Sequence, residues 1–274
     1  MRIYIPTIGR TGLQRTWDAI PGDWRPWAYL VCPADEAKAH YRAGRRVVVC
    51  TEKGIGPVRH WIMQNAPCDK VLMLDDDLKF NVKGPRRDGL PGDGTRNSPK
   101  FGLYDVTPNT MSAMLHEVRR RLTVYAHGSI VPRFGCNGIA DDEECTRGLR
   151  ALAYRTDIFR RHKLRFDAVP LMEDFYVQLS LLTRGYKSFT ITDWVQDQPG
   201  KSGAAGGCST YRTAELQETA ARALAKAFHP DAKLITKTVK TKWGDLGTTR
   251  ADVRIQWKAA YETGRMLYGA RGEL

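Results

Sequence analysis

Four short apolar runs mark the first 75 residues: Arg2-Ile3-Tyr4-Ile5-Pro6, Trp27 to Cys32 closed by Pro33, Arg46 to Cys50, and Lys70 to Leu74. Each is nearly continuous rather than alternating, as expected of strands covered on both faces. Between the third and fourth, Val58, Trp61, Ile62 and Asn65 recur at helical spacing. That helix is predicted to start near Pro57, at a first position where proline forfeits no hydrogen bond. Strands alternating with helices predict an α/β layered fold.

Beyond residue 83 the texture changes. Residues 83–100 are rich in Gly, Pro and charge and read as a loop. A helix follows, capped by Thr107 with Pro108 first, and Met111, Leu115, Val118 and Leu122 form its apolar stripe. Arg119, Arg120 and Arg121 are read as its solvated face. A short helix begins near Thr156. Another runs from Glu173-Asp174 through Arg184 and stops at Gly185. Residues 198–207 are Gly-rich and read as flexible. An Ala-rich helix spans Thr213 to about Phe228 before His229-Pro230, and a last amphipathic helix is expected to carry Val253, Trp257 and Tyr261. These patterns divide the chain into residues 1–197 and a smaller region, 198–274, packing on it.

Charge adds a partner class. The 274 residues carry 43 Lys and Arg against 30 Asp and Glu, a formal charge of +13. Residues 201–274 hold 13 of these cations against 7 acids, so the tail is the more basic part. An excess of this size favours a polyanionic partner, nucleic acid or nucleotide, over a well-solvated surface with no such partner. No window approaches the ~20 consecutive apolar residues of a spanning helix, and Pro6 and Gly9-Arg10 interrupt the N-terminus before an export segment can form. No membrane partner is expected. Cys32, Cys50, Cys68, Cys136, Cys145 and Cys208 contain no Cys-x-x-Cys pair. They read as reduced thiols of a cytoplasmic protein.

Candidate chemistry begins at Asp75-Asp76-Asp77, which ends the fourth strand. Alternation continued past the strand points Asp75 and Asp77 to one side. Adjacent carboxylates repel unless a cation lies between them, and hard oxygens suit Mg²⁺ or Mn²⁺. Ligands gather at that edge of an open α/β sheet. Glu173-Asp174, at a helix start, either answers the helix dipole or provides a base for a hydroxyl that must attack an electrophile. Gly54-Ile55-Gly56-Pro57-Val58-Arg59 opens a helix where backbone can approach a phosphate, although the spacing is not a P-loop. Pro6-Thr7-Ile8-Gly9-Arg10 closes the first strand at the same edge.

The order Pro6-Thr7-x-x-Arg10, Gly54-Ile55-Gly56-x-x-Arg59, Asp75-x-Asp77 and Glu173-Asp174 resembles the GT-A class of nucleotide-sugar glycosyltransferases over about residues 1–190. Phe166-Asp167-x-Val169-Pro170-Leu171-Met172-Glu173-Asp174-Phe175, continued by Gln178 to Tyr186, is closer still. With Asp252 to Trp257 it is similar to the phage TET-associated glycosyltransferases. The resemblance implies a GT-A-like, Rossmann-type mixed sheet flanked by helices, with a basic helical C-terminal extension. It implies transfer of a sugar from a nucleotide-sugar donor, with UDP the expected nucleotide, to the hydroxyl of a hydroxymethylated base in phage DNA. 5-Hydroxymethylcytosine is the expected base and inversion the expected stereochemistry.

Residue by residue, the resemblance gives Asp174 as the base with Glu173 beside it. Thr7, Arg10, Gly56, Arg59, Asp75 and Asp76 would line the nucleotide-sugar pocket. Asp77 and Asp75 would hold Mn²⁺ or Mg²⁺, with His229 the nearest candidate for a third ligand. Independently of the resemblance, the basic excess is expected to meet double-stranded DNA through the loop residues Lys83, Arg86, Arg87, Arg96 and Lys100, just after the fourth strand at the carboxylate edge, together with Arg212. Such an enzyme would work in the cytoplasm of an infected bacterial host. The nearest competing reading is a GT-A enzyme with a carbohydrate or protein acceptor. A metal-dependent nuclease would leave the first-strand and Gly-Ile-Gly elements unused. A non-catalytic DNA-binding module would leave the aspartates unexplained, since carboxylates repel phosphate.

Overall fold

The computed structural model describes residues 1–87, 89, 100–134, 142–199, 211–238 and 249–269. Its first strand, β1 (Arg2–Pro6), pairs in parallel with β2 (Ala28–Cys32) on one side and β4 (Lys70–Leu74) on the other. β3 (Val47–Val49) extends the parallel set beyond β2. Past β4 the sheet becomes mixed. β9 (Ala151–Arg155) runs antiparallel to β4, and β7 (His127–Pro132) antiparallel to β9. β10 (Ser188–Asp197) is parallel to β7, so β4, β7 and β10 end at one edge. β5 (Lys79–Gly84), β6 (Gly102–Asp105) and the short β8 (Glu143–Glu144) complete ten strands.

Alternation splits each strand between two cores. Ile3, Ile5, Leu72 and Leu74 face Met111, Met114, Leu115 and Val118 of α4 (Pro108–Arg121). Tyr4, Val71 and Met73 face the other way, onto Ile62 and Met63 of α3 (Ile55–Asn65), Phe159 of α5 (Thr156–Arg161), and Val177 and Leu181 of α6 (Glu173–Leu182). α1 (Arg15–Ala19) and α2 (Ala34–Arg42) link the first three strands. The Thr107 cap forms as expected. Its hydroxyl accepts from the Thr110 amide at 3.2 Å while the Thr110 hydroxyl accepts from the Thr107 amide at 2.8 Å.

α6 is apolar on two faces, so it lies between layers. Its outer face, Leu179 and Leu182, packs on Ala221 and Leu224 of α7 (Ala214–Ala227), Ala232 of β11 (Ala232–Thr238), Val253 of β12 (Thr249–Ile255), and Ala260 and Tyr261 of α8 (Trp257–Tyr268). Both leucines are 0% exposed, each burial contributing about 1.5–3 kcal/mol. β11 and β12 form a two-stranded antiparallel ribbon. The C-terminal region is thus helix, ribbon, helix. Val253 belongs to β12, whereas the sequence pattern placed it on one helix with Trp257 and Tyr261, because their spacing of four is helical.

α3 also differs from expectation. It begins at Ile55, so Pro57 is third, still within the first turn where no intrahelical donor is lost. Among the described residues no helix is long and apolar enough to cross a membrane. Cys32, Cys50, Cys68 and Cys145 are free thiols. Cys136, Cys208 and the Gly-rich stretch from Gly200 to Gly207 lie outside the described residues.

Candidate active site

β4 ends at Leu74, and Asp75-Asp76-Asp77 forms a turn at the edge where β4, β7 and β10 finish. Thr16, fully buried in α1, fixes that turn: its hydroxyl donates to the Asp75 carbonyl at 2.5 Å and accepts from the Leu78 amide at 2.9 Å. Because the strand has ended, alternation no longer governs the three side chains. Asp75 turns to Arg59 on α3, at 2.8 Å. Asp76 and Asp77 share Arg10, at 2.6 and 2.9 Å. The expected pairing of Asp75 with Asp77 on one side is replaced by this division between two guanidiniums.

Thr7 and Asp76 are both buried. The Thr7 hydroxyl donates to Asp76 Oδ2 at 2.6 Å and accepts from Gln14 Nε2 at 2.8 Å. These two residues hold the β1 loop against the turn. Asp77 Oδ2 also accepts from Gln198 Nε2 at 2.7 Å, just past β10, while its Oδ1 is buried with no hydrogen-bond partner among the described residues. Burial raises the Asp75 pKa to about 6, with Asp77 and Asp76 adding to the rise and Arg59 and Arg150 opposing it.

The second acid pair opens α6. Met172, the residue before it, sits in the left-handed region at φ 59°, a conformation a non-glycine residue holds only under constraint. Glu173 is buried and accepts from Arg59 Nη1 at 2.7 Å, so one guanidinium joins Asp75 to Glu173. Asp174 is partly buried, and its Oδ1 accepts the amide of Phe175 at 2.9 Å. Burial and then the neighbouring Glu173 push its pKa up to about 7, against Arg59 and that amide. A carboxylate titrating there is matched to general-base work near neutral pH.

Three features of the site carry no sequence motif. Arg150 lies at φ 62°, and its carbonyl accepts the Asp75 amide at 3.0 Å. Among the described residues its guanidinium makes no ion pair within bonding distance. It arrives beside Asp75 only through the β4–β9 pairing, and nothing in the local pattern announces it. The loop that carries it is held from beneath. Buried Gln178 brackets Gly148, accepting its amide at 2.8 Å and donating to its carbonyl at 3.0 Å, and buried Gln196 donates to the Leu149 carbonyl. The Tyr211 hydroxyl accepts the amide of Ile55 at 3.1 Å, at the opening of α3.

Other expected site residues are placed differently. Gly56 is buried, and a Cβ there would stand 2.9 Å from the Phe166 carbonyl oxygen. Its bare backbone lets α3 pack closely, whereas a ligand role was expected. Gly54, at φ 92°, makes the turn into the helix. His229 is exposed in the turn between α7 and β11 and forms no ligand group with Asp75 and Asp77; among the described residues no three His, Cys, Asp or Glu side chains gather as a metal site. The basic hairpin is also relocated. β5 begins at the carboxylate edge with Lys79, opposite Asp197, and runs away from it. Lys83, Arg86, Arg87 and Lys100 therefore leave from the other end of the strand, with Lys83 over Phe101 and Arg87 over Tyr104. Arg96 lies outside the described residues, and Arg212 is exposed beside Tyr211.

A mixed sheet carrying an arginine-clasped aspartate turn at the end of β4, with an acid pair opening the helix beside it, has the architecture of a GT-A glycosyltransferase. The fold of glucosyl-3-phosphoglycerate synthase from Mycobacterium tuberculosis, solved with Mn²⁺, UDP and phosphoglyceric acid, superposes with a TM-score of 0.51 at 11% identity, covering 94% of this chain and 90% of that one. The same enzyme with Mg²⁺ and UDP gives 0.50 at 11%, covering 93% and 86%. The chain belongs to the TET-Associated Glycosyltransferase family, whose model matches residues 1–207. It is similar to the Beta-glucosyl-HMC-alpha-glucosyl-transferase of Enterobacteria phage T2, 23% identical over 252 residues, or 88% of this chain and 86% of the relative. The phage T6 protein of that name matches with the same identity and coverage. The protein is a glycosyltransferase.

Proposed function

We propose that this glycosyltransferase moves a sugar from a UDP-sugar to the hydroxymethyl oxygen of 5-hydroxymethylcytosine in duplex DNA, with Asp174 as the base. The observation that carries the reading is the contrast within one acid pair. Glu173 is locked to Arg59 at 2.7 Å, while Asp174, among the described residues, is held only by its neighbour's amide and has its pKa raised to about 7. Asp174 takes the acceptor proton as the oxygen forms its bond to the anomeric carbon. The bond from that carbon to the diphosphate breaks, and its electron pair leaves with UDP. One in-line displacement inverts the anomeric centre.

Arg10, Arg59 and Arg150 supply positive charge toward the departing diphosphate, and Thr7 and Asp76 keep the Arg10 loop in place. Asp77, whose Oδ1 is buried and unpartnered among the described residues, would be the ligand to a divalent cation, while Asp75 stays with Arg59. Mg²⁺ is commonly held by one or two carboxylates plus substrate phosphates, so no further protein ligand is required. When bound, such an ion would neutralise diphosphate charge. The hairpin cations Lys83, Arg86, Arg87 and Lys100, with Arg212, are proposed as outer phosphate contacts, since charge of this sign is needed to hold a duplex.

The names of the phage relatives favour a second reading, in which the acceptor is a hydroxyl of glucose already attached to the base. An α-linked product, as those names state, would retain the configuration of an α-linked UDP-sugar, so the single inverting displacement belongs to the first reading alone. Release of UDP from UDP-glucose should require both enzyme and modified DNA, with plain hydroxymethylated duplex sufficient. A requirement for pre-glucosylated duplex would select the second reading. Release with neither duplex, but with a free oligosaccharide, would reject both.

A further inference from the structure

We infer that the face of the β11–β12 ribbon that exposes Lys233, Lys237 and Arg254 is the surface that docks in the major groove of duplex DNA. The register sets Lys233 directly opposite Arg254 and Lys237 directly opposite Arg250. Like charges in that relation weaken a ribbon, so the arrangement disfavours the isolated fold and suits a polyanion lying over it. Alternation places Lys233, Ile235, Lys237, Arg250, Asp252 and Arg254 on one face. The other face, with Ala232, Ala251, Val253 and Ile255, belongs to the core shared with α7. Asp252, an acid on this face, is itself buried, engaged by Lys237 at 2.9 Å and 3.7 Å from half-buried Arg250, so the exposed cations of the face are Lys233, Lys237 and Arg254. Lys233 and Arg254 are exposed and, among the described residues, have no carboxylate within ion-pair distance.

Shape agrees with charge. A major groove ~12 Å wide admits a two-stranded ribbon, whose strands lie ~4.8 Å apart. The substituent on C5 of a pyrimidine projects into that groove. The ribbon is also tied to the reacting centre. β12 passes through Gln256 into α8, whose Trp257 packs edge-on against Phe175 at 5.4 Å, and Phe175 follows Asp174. The inference rests on the proposed DNA acceptor.

The test is fluorescence anisotropy of a labelled hydroxymethylated duplex over a salt series, comparing wild type with Lys233→Ala/Arg254→Ala. Each phosphate contact contributes ~0.9 to the fall of log affinity with log salt. The slope should shrink by about 1.8 and affinity at 0.1 M salt fall on the order of 10- to 100-fold. The melting temperature should hold or rise, because an opposed like-charge pair has been removed. Lys233→Gln/Arg254→Gln, which keeps more of the side-chain bulk, should read the same. An unchanged slope in both variants overturns the inference. So does wild-type binding to phosphatidylserine vesicles in place of duplex. A reduced slope in the variants, with no sugar transfer by wild type, supports the ribbon surface while removing the proposed acceptor.

Discussion

Arg59 donates to Glu173 at 2.7 Å across 114 positions of sequence, and through its other amino group it holds Asp75 at 2.8 Å. One buried guanidinium therefore joins the helix that opens with the acid pair to the turn that ends β4. The join leaves Asp174 as the less restrained carboxylate. Breaking a buried pair by removing one partner costs about 3–5 kcal/mol. Arg59→Ala should lower the melting temperature accordingly, because Glu173 and Asp75 both lose their cation. Adding Glu173→Gln to Arg59→Ala should return part of that loss. Strictly additive effects in a thermal-unfolding double-mutant cycle would show that the pair is not coupled.

Asp174 governs pH dependence in two ways. Its folded pKa, near 7, lies above its unfolded value, so the native state holds a proton that the unfolded state has released between about pH 4 and 7. Its contribution to stability is thus lost as pH rises through that window. Activity moves oppositely, since a base must be ionised, and kcat/KM should rise through about pH 7. Asp174→Asn should lose ~10²-fold or more in rate, the usual scale for general-base removal. The same variant should melt higher at pH 8, because no charge is left to desolvate. Retention of the acid limb in that variant would assign the limb to another group.

Arg150 separates strain from binding. A non-glycine residue in the left-handed region is disfavoured by roughly 1–2 kcal/mol. Arg150→Gly should be more stable than Arg150→Ala by about 1 kcal/mol. Both should raise the donor KM about tenfold or more, the scale of one lost charge-assisted hydrogen bond. Wild-type donor KM in both variants would remove Arg150 from the diphosphate site.

The carboxylate turn, the acid pair and the arginines at positions 10 and 59 were legible because each sits beside a local signal: a strand end, a helix start or a glycine. Arg150 was not legible, since its proximity to Asp75 arises from antiparallel pairing of β4 with β9. The hairpin cations follow the aspartates closely in sequence, but β5 carries them off along its own length. β10 has alternating Ser188, Phe189, Thr190, Ile191 and Thr192, all buried, and so lacks the apolar run that marked β1 to β4. The ribbon was hidden by the Val253–Trp257–Tyr261 spacing.

Cation dependence is expected to centre on Asp77, whose Oδ1 is buried without a partner among the described residues. Excess EDTA should abolish transfer, and Mn²⁺ or Mg²⁺ should restore it. Asp77→Ala should fail to respond to either ion while its far-UV circular dichroism is unchanged. Full activity in EDTA would show that Arg10, Arg59 and Arg150 suffice.

Mass spectrometry of nucleosides tests the central claim most directly. Hydroxymethylated duplex DNA is incubated with the enzyme and a panel of nucleotide sugars, then digested to nucleosides. The account predicts a hydroxymethyldeoxycytidine carrying one added sugar with a UDP-sugar donor, and ~10²-fold less or lower still with the Asp174→Asn variant over the same time. Unmodified nucleosides across the whole panel, with sugar appearing instead on a carbohydrate or protein acceptor, would contradict it.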